Sequence, residues 1–391
     1  MDSDAGARGR AMRFIVMLGV VSLFADVTYE GARSITGPFL GLLGASAVVV
    51  GAVAGAGELI GHALRLASGY FTDRSKKYWA IVMLGYTVNL FAVPLLALAG
   101  RWEVAALLMI TERLGKAIRA PARDVMLAHA AKAVGTGWGF GLHEAMDQIG
   151  ALTGPLIVAL TLATYHSYRA SFAVLAVPAL AALAVLLVAR SRYPNPRSLE
   201  DPRAQDTGTH IPRAFWIYVA ASGCIAAGYV DFPLAAFHWK QAGIASDVWI
   251  PLLYAIAMGV DAVAALVFGI LFDRWGKAVL LGAPLFASMA VPLMFSGGFR
   301  SALVGVALWG VGMGAQESVL RAAVADMVPV ARRGLSYGIF NATFGVCWFA
   351  GSALMGVLYQ GSPLRLVTFS VCAQLASVPL LFLTSRFARH R

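Results

Sequence analysis

Charged residues are scarce in this chain. Asp, Glu, Lys and Arg make up 13% of its 391 residues, whereas the apolar set makes up 59%. Soluble domains have about 25% charged and 45–50% apolar residues, so this composition excludes an ordinary soluble fold. Cysteine is also scarce: Cys224, Cys347 and Cys372 all lie in apolar stretches, which predicts neither a disulfide framework nor a metal cluster. The mean hydropathy is accordingly high, at +0.73.

The apolar residues fall into long runs. A bilayer core of roughly 30 Å needs about 20 apolar residues per helix, and runs of this length without strand-like alternation predict helices rather than a β-barrel. We therefore predict an all-α membrane protein of about twelve transmembrane helices. The predicted spans cover 12–42, 47–71, 79–100, 103–128, 138–163, 170–189, 214–238, 248–272, 278–297, 301–328, 335–359 and 364–384.

Basic residues are concentrated at alternate ends of these predicted spans. The formal net charge is +11, but no polar face collects the basic residues, so we expect no nucleic-acid partner. Because cytoplasmic loops carry the excess of Lys and Arg, both termini are predicted to be cytoplasmic. The first apolar run continues past Asp26 into a full span, which is typical of a retained helix rather than a cleavable signal.

A polar, proline-bearing segment divides the runs into two halves. We predict an N-terminal six-helix bundle over 1–190, a cytoplasmic linker over 191–212 and a C-terminal six-helix bundle over 213–391. The halves repeat short patterns at an offset of roughly 200 residues, which indicates duplication. One pattern follows the second span of each half, and its positions are Gly69, Asp73, Arg74 and Lys77 in the first copy and Gly269, Asp273, Arg274 and Lys277 in the second.

This duplicated pattern resembles the G-x-x-x-D-R-x-G-K/R loop of the major facilitator superfamily. The resemblance implies two pseudo-symmetric bundles, related by an axis along the membrane normal, that rock around a substrate site near the bilayer midplane. It also implies that the loop is a cytoplasmic gate in which the acidic residue meets a helix N-terminus. The first copy departs from the family pattern at Ser75 and Lys76.

The fifth predicted span carries Gly150, Gly154 and Pro155. This stretch resembles the G-x-x-x-G-P pattern of the antiporter branch of the superfamily. Glycines at this spacing let two helices approach closely, and the proline leaves a backbone carbonyl unbonded and permits a bend. Helix packing alone would explain the pattern as well as a role in export would.

Ionisable residues accumulate inside the predicted spans. Each one at mid-bilayer costs about 2.5–3.5 kcal/mol on insertion scales, so we expect a function for them, with static ion pairs between helices as the alternative. Depth counted from the cytoplasmic boundary predicts that Arg119 pairs with Asp147 and Arg123 with Glu144. The candidates for the substrate cavity and proton coupling are Asp26, Glu30, Arg33, Glu58, Glu112, Arg113, Arg119, Glu144, Asp147, Asp231, Glu317 and Arg321.

The preferred coupling residues are Asp26, Glu30, Arg119 and Asp147, which lie deepest in their spans. Low dielectric favours the neutral form of a carboxyl group, and a neighbouring arginine favours the charged form. A substrate that competes for either partner would therefore change the proton occupancy. The family resemblance implies that the first, fourth, seventh and tenth spans line the cavity, which would bring the candidates on those spans to one site.

The first functional hypothesis is a proton-coupled antiporter that exports a small organic solute by alternating access. A symporter that imports an anionic metabolite is the alternative, because guanidinium groups on the fourth span suit carboxylate or phosphate. A membrane sensor without solute turnover is a third. No enzyme is expected, since no loop carries a nucleophile with a base, a phosphate-binding glycine loop or metal-ligand spacing. We expect a monomer in the plasma membrane, with a small molecule and protons as partners and without cofactor or metal.

Overall fold

The computed structural model describes residues 2–134, 136–194, 211–320, 323–324, 327–328 and 333–388. Within these ranges the chain is almost entirely helical and forms no β-strand. The α-helices are Asp2–Leu42, Ala47–Ser75, Tyr78–Leu95, Trp102–Val134, Thr136–Tyr165, Tyr168–Val174, Ala176–Arg192, Arg213–Gly228, Phe232–Gln241, Trp249–Trp275, Gly282–Phe295, Phe299–Ala315, Arg333–Gly361 and Pro363–Ala388, and shorter helical turns cover Leu96–Leu98, Gly276–Leu281 and Gln316–Leu320.

The helices match the predicted spans. Within the described ranges, 11 stretches are long and apolar enough to cross a membrane, from Arg8–Leu42 to Pro363–Thr384. The remaining predicted span is the fourth, whose helix Trp102–Val134 has 33 residues. At 1.5 Å per residue this helix exceeds the roughly 30 Å of a bilayer core, but its many charged residues make it less apolar than the others. The predicted all-α membrane architecture is confirmed.

Contacts divide the chain into two compact units. The first unit holds Met1–Ser34 and Ala63–Arg203, and the second holds Ile35–His62 and Ala204–Arg391. One division therefore falls within the predicted linker. The end of the first span and the beginning of the second group with the second unit, so the bundle boundaries inferred from the sequence stay a prediction.

Helices three and four of the first unit are in backbone contact. A Cβ atom at Gly85 would lie 2.8 Å from the carbonyl oxygen of Gly115 and 2.7 Å from the backbone nitrogen of Arg119, so only glycine permits this approach. The contact buries the middle of the charged fourth span. As a result, Arg119 is only 1% exposed.

The fifth span packs against the first through its two glycines. A Cβ atom at Gly150 would lie 2.8 Å from the Cβ of Asp26, and one at Gly154 would lie 2.8 Å from the backbone nitrogen of Gly31. The helix Thr136–Tyr165 continues through Pro155. These glycines therefore allow close helix packing, whereas their role in export stays a prediction.

The seventh span is broken in its middle. Tyr229, Val230 and Asp231 are not helical and separate Arg213–Gly228 from Phe232–Gln241. The indole nitrogen of Trp309 donates a 2.8 Å hydrogen bond to the carbonyl oxygen of Val230. The hydroxyl of Tyr229 donates a 2.7 Å hydrogen bond to the carbonyl oxygen of Trp309. These contacts stabilise non-helical backbone at membrane depth, where it must be bonded within the protein.

Each duplicated pattern contains a residue with a positive φ angle just before its final lysine. The φ angle is +55° at Lys76 and +58° at Gly276, and these are equivalent positions of the two copies. Glycine adopts this conformation freely, whereas lysine is strained there by its Cβ. Both halves thus have a positive φ angle at this position, although the first copy lacks the glycine; the ψ angle of Gly276 is −139°.

Candidate functional site

A polar network in the first unit joins the first, fourth and fifth spans. Arg123 Nη1 lies 3.8 Å from Asp147 Oδ2, and Arg123 Nη2 lies 2.8 Å from Asp124 Oδ1. His143 Nδ1 lies 3.5 Å from the same Asp147 oxygen. Ser22 Oγ lies 3.0 Å from His143 Nε2 and accepts a 3.3 Å hydrogen bond from Arg123. Two aspartates, Asp124 and Asp147, therefore share one arginine, and His143 contacts the second of them.

The predicted ion pairs are wrong by one helical turn. Asp147 contacts Arg123 rather than Arg119, and Glu144 is exposed and accepts a 3.4 Å hydrogen bond from Gln148. The predicted pairs depend on the depth of each residue below its span boundary, which sequence patterns locate only to about two to four residues. That uncertainty equals one turn of 3.6 residues.

Arg119 lies one turn further along the fourth span and is buried between aromatic rings. Its guanidinium carbon lies 4.1 Å from the centroid of the Tyr86 ring and 5.9 Å from that of Tyr29. None of its side-chain nitrogens has a hydrogen-bond partner among the described residues. Asp26 is 5% exposed, and its Oδ1 atom also has no such partner. The Asp26 carboxyl group is within electrostatic range of Asp147 and Arg119.

Polar contacts continue along the same face. Lys116 Nζ lies 3.7 Å from Glu30 Oε1 and 3.8 Å from the centroid of the Tyr29 ring. Glu112 accepts a 2.7 Å hydrogen bond from the side-chain amide of Asn89 on the third span. From residue 112 to residue 123 the fourth helix rises about 16 Å. The polar contacts therefore follow roughly half the thickness of a bilayer core.

Asp231 occupies the break in the seventh span and is 1% exposed. Its Oδ1 atom accepts a 3.0 Å hydrogen bond from the indole nitrogen of Trp348, and its Oδ2 atom accepts one from Ser352 Oγ. Both donors belong to the helix Arg333–Gly361. Glu317, by contrast, is exposed on the π-helical turn after the helix of the tenth span.

The other cavity candidates lie in three separate places. Arg113 Nε is 3.3 Å from a carboxylate oxygen of Glu112. Glu58 belongs to the second unit and lies 4.0 Å from His62 Nδ1. Arg33 is half-buried in the first unit. Within the described ranges, no group of three or more His, Cys, Asp or Glu side chains could hold a metal ion.

The predicted gating positions lie where the second and eighth spans end. Gly69 and Arg74 belong to the helix Ala47–Ser75, and Arg74 donates a 3.2 Å hydrogen bond to Tyr70. Gly269 and Arg274 belong to Trp249–Trp275, and the exposed Lys77 precedes the third helix. Outside the described residues lie Arg321 and the side chains of Asp73, Asp273 and Lys277.

Several residues of these networks were not predicted. Ser22 lies one turn before Asp26, on the same helical stripe, and Asn89 is the only amide side chain of the third span. Trp348 and Ser352 are separated by four residues on the eleventh span. A search for polar side chains at i, i+4 spacing along apolar spans, with Asp26 counted as the partner of Ser22, would identify three of these four.

Comparisons with known proteins show the family of this chain. The model of the Major Facilitator Superfamily matches residues 18–352 and 249–390. An uncharacterized protein of Mycobacterium tuberculosis is 43% identical over 380 residues, which are 95% of this chain and 93% of that protein. An uncharacterized MFS-type transporter of Methanocaldococcus jannaschii is 24% identical over 378 residues, 94% of each chain.

The fold is also found among solved structures. The crystal structure of peptide transporter POT in complex with sulfate matches with a TM-score of 0.75 and 15% identity, over 97% of this chain and 94% of that chain. This likeness and the family match confirm the predicted fold class. The chain is an integral membrane protein and a secondary transporter rather than an enzyme. It belongs to the major facilitator superfamily.

Proposed function

We propose that this transporter is a proton-coupled antiporter that exports a small organic solute from the cytoplasm by alternating access. The observation that carries the proposal is the network of Asp147, His143 and Arg123. It is within electrostatic range of Asp26, whose buried Oδ1 atom has no partner among the described residues. Whether a carboxyl group at low dielectric holds a proton depends on the cation beside it. A network in which two aspartates compete for nearby arginines is therefore suited to binding and releasing protons.

Antiport requires that the proton and the solute exclude each other. A solute that takes the Asp26 carboxylate as its partner would displace a proton from it. When the solute leaves on the outer side, Asp26 would again take up a proton, and the protonated carrier would return. Since the energy of the cycle comes from the proton gradient, loss of the titratable group should uncouple solute movement from proton movement.

We further propose that the chain is a monomer in the plasma membrane with both termini in the cytoplasm, and that the duplicated pattern is its cytoplasmic gate. The alternation of basic residues between span ends supports the orientation. The positive φ angle shared by both copies, at Lys76 and Gly276, supports a common role for the two turns.

Import of an anionic metabolite with protons is the second candidate. It is favoured by Arg119, whose nitrogens have no hydrogen-bond partner in the described part of the chain. An anion that binds this arginine would offset its positive charge near Asp26 and favour protonation of that carboxylate, which is the coupling expected of a symporter.

The sign of a pH change separates the two candidates. Solutes are first selected by a thermal-shift screen of the purified chain at two pH values, then added to inside-out proteoliposomes that contain a pH-sensitive dye. Antiport predicts that the lumen becomes more alkaline when solute is added, and symport predicts that it becomes more acidic.

An aspartate pair provides the residue test. Asp147→Asn should abolish the solute-dependent pH change. Asp247→Asn is the matched control, because Asp247 lies outside the predicted spans and pairs with Lys240. A full pH response in the Asp147 variant would contradict the assignment of the proton network.

A further inference from the structure

We propose that Asp26 and Arg119 together bind a zwitterionic solute, the anionic group on Arg119 and the cationic group on Asp26. This inference rests on the proposed transport function and names the substrate class. It starts from a contrast along the fourth span. Arg113, Lys116 and Arg123 each lie within 4.0 Å of a carboxylate oxygen, whereas Arg119 has no hydrogen-bond partner within the described ranges.

The burial of Arg119 makes this contrast significant. The side chain is 1% exposed, and a guanidinium group carries five N–H donors that cannot be removed by deprotonation. Buried polar groups in folded proteins are almost always hydrogen-bonded, so a buried guanidinium without an acceptor indicates a ligand or water that completes it.

The geometry around Arg119 suits a carboxylate or a phosphate. The ring of Tyr86 lies 4.1 Å from the guanidinium carbon, and the backbone contact at Gly85 holds the residue in place. Guanidinium donors lie in the plane of the group as a rigid fork that matches two anionic oxygens. Lys116, with its amino group over the ring of Tyr29 and next to Glu30, adds positive charge nearby but is already paired.

Asp26 supplies the opposite charge. Its Oδ1 atom is buried without a partner in the described part of the chain. The carboxyl group is within electrostatic range of Asp147, Lys116, Glu30 and Arg119, and none of the Arg119 nitrogens bonds to a described residue. Two contacts bring the helices together at this level: Glu30, one turn from Asp26, lies 3.7 Å from Lys116, and Arg119 lies 5.9 Å from the ring of Tyr29. A donor and an acceptor of opposite charge, both more than nine-tenths buried, therefore lie on facing helices without an ion pair between them. A solute with one anionic and one cationic group would satisfy both.

This assignment also gives the proton a definite competitor. The ammonium group of the solute and the proton are alternative partners of the Asp26 carboxylate, so binding of one releases the other. No covalent step is involved, and the charge on Arg119 does not change. With a zwitterionic solute, Arg119 can bind the anionic group while the cationic group exchanges with a proton on Asp26.

The test is binding to the purified full-length chain, which needs neither a proton gradient nor turnover. A panel of α- and ω-amino acids is measured by thermal shift and calorimetry beside three capped forms of each: the N-acetyl acid, the amide and the N-acetyl amide. We expect at least one zwitterion to stabilise the wild-type chain, and each single cap to weaken its binding about tenfold or more.

Two variants, each combined with one capped form of the ligand, show which residue binds which charged group. In Arg119→Gln, amidation of the ligand should cause no further loss of affinity, and in Asp26→Asn, acetylation should cause none. Arg119→Lys keeps the positive charge and serves if the glutamine variant does not fold. Arg101→Gln is the matched control, because Arg101 is exposed and pairs with Glu103.

The outcomes separate this inference from the proposed function. It is overturned if no zwitterion stabilises the wild-type chain, if a singly charged form binds as well as the zwitterion, or if the Arg119 variants bind normally. In the last two cases a pH response in proteoliposomes would still support proton coupling. Conversely, zwitterion binding without any pH response would retain the site and refute coupling.

Discussion

Replacement of Lys76 tests the backbone strain at the positive φ angle inside the first duplicated pattern. Lys76 is exposed and has a φ angle of +55°. The left-handed conformation costs an L-residue about 1–2 kcal/mol, and glycine avoids this cost. Glycine in turn loses more freedom on folding, which costs about 0.4–1 kcal/mol. We therefore expect Lys76→Gly to be more stable than Lys76→Ala by about 0–1.6 kcal/mol.

The alanine variant is the control, because it also removes the lysine but keeps the Cβ atom and its strain. Gly276 provides the reciprocal test at the equivalent position, where φ is +58° and an added Cβ would meet no atom within 4 Å. Gly276→Ala should lose about 1–3 kcal/mol of stability, because φ +58° with ψ −139° lies close to a region that is essentially restricted to glycine.

The assay is thermal unfolding of the full chain in one detergent at one scan rate, because irreversible unfolding makes the midpoint depend on that rate. A change of 1 kcal/mol shifts the midpoint by about 2–4 °C in a unit of 150–250 residues. A lower midpoint for Lys76→Gly than for Lys76→Ala, or a Gly276→Ala variant as stable as wild type, would refute the backbone-strain argument.

Three further predictions concern helix packing, coupling and the broken span. Gly154→Ala should lower the unfolding midpoint, because its Cβ meets backbone atoms and overpacking costs about 1–3 kcal/mol; Gly141→Ala, with no atom within 4 Å, should not. Asp26→Asn should abolish solute-dependent pH changes in proteoliposomes while the protein remains folded by size-exclusion chromatography; undiminished flux would exclude Asp26 from coupling. Trp348→Phe removes the indole donor to Asp231 and should destabilise the chain by about 1.5–3 kcal/mol in thermal unfolding; an unchanged midpoint would show that water replaces the indole.

Hydropathy predicted the helices because membrane insertion depends on the summed hydropathy of about 20 neighbouring residues. The predicted second span, 47–71, and the observed Ala47–Thr72 differ by a single residue at one end. The duplicated pattern around Gly69 and Gly269 was likewise visible, since it is a local run of residue types. Burial of Asp26, Glu30 and Arg119 also agreed with their positions deep in apolar runs.

The break in the seventh span could not be located from hydropathy, because 214 to 238 is one continuous apolar run. Gly228 and Pro233 flank the break and were the available signals. What stabilises non-helical backbone there is Trp309, about 80 residues away in sequence. Such a partner depends on tertiary packing, which the summed hydropathy of one segment cannot predict.

By itself, then, the sequence determined which segments cross the membrane, that the chain is duplicated, and which charges lie at depth, since each follows from composition within one segment. Only the tertiary structure decided that Arg123 contacts Asp147 and that Arg119 has no such partner in the described chain. The physical reason is helix register. Backbone contact at Gly85 fixes the position and rotation of the fourth helix against its neighbour, and a shift of one helical turn would place Arg119 instead of Arg123 beside Asp147.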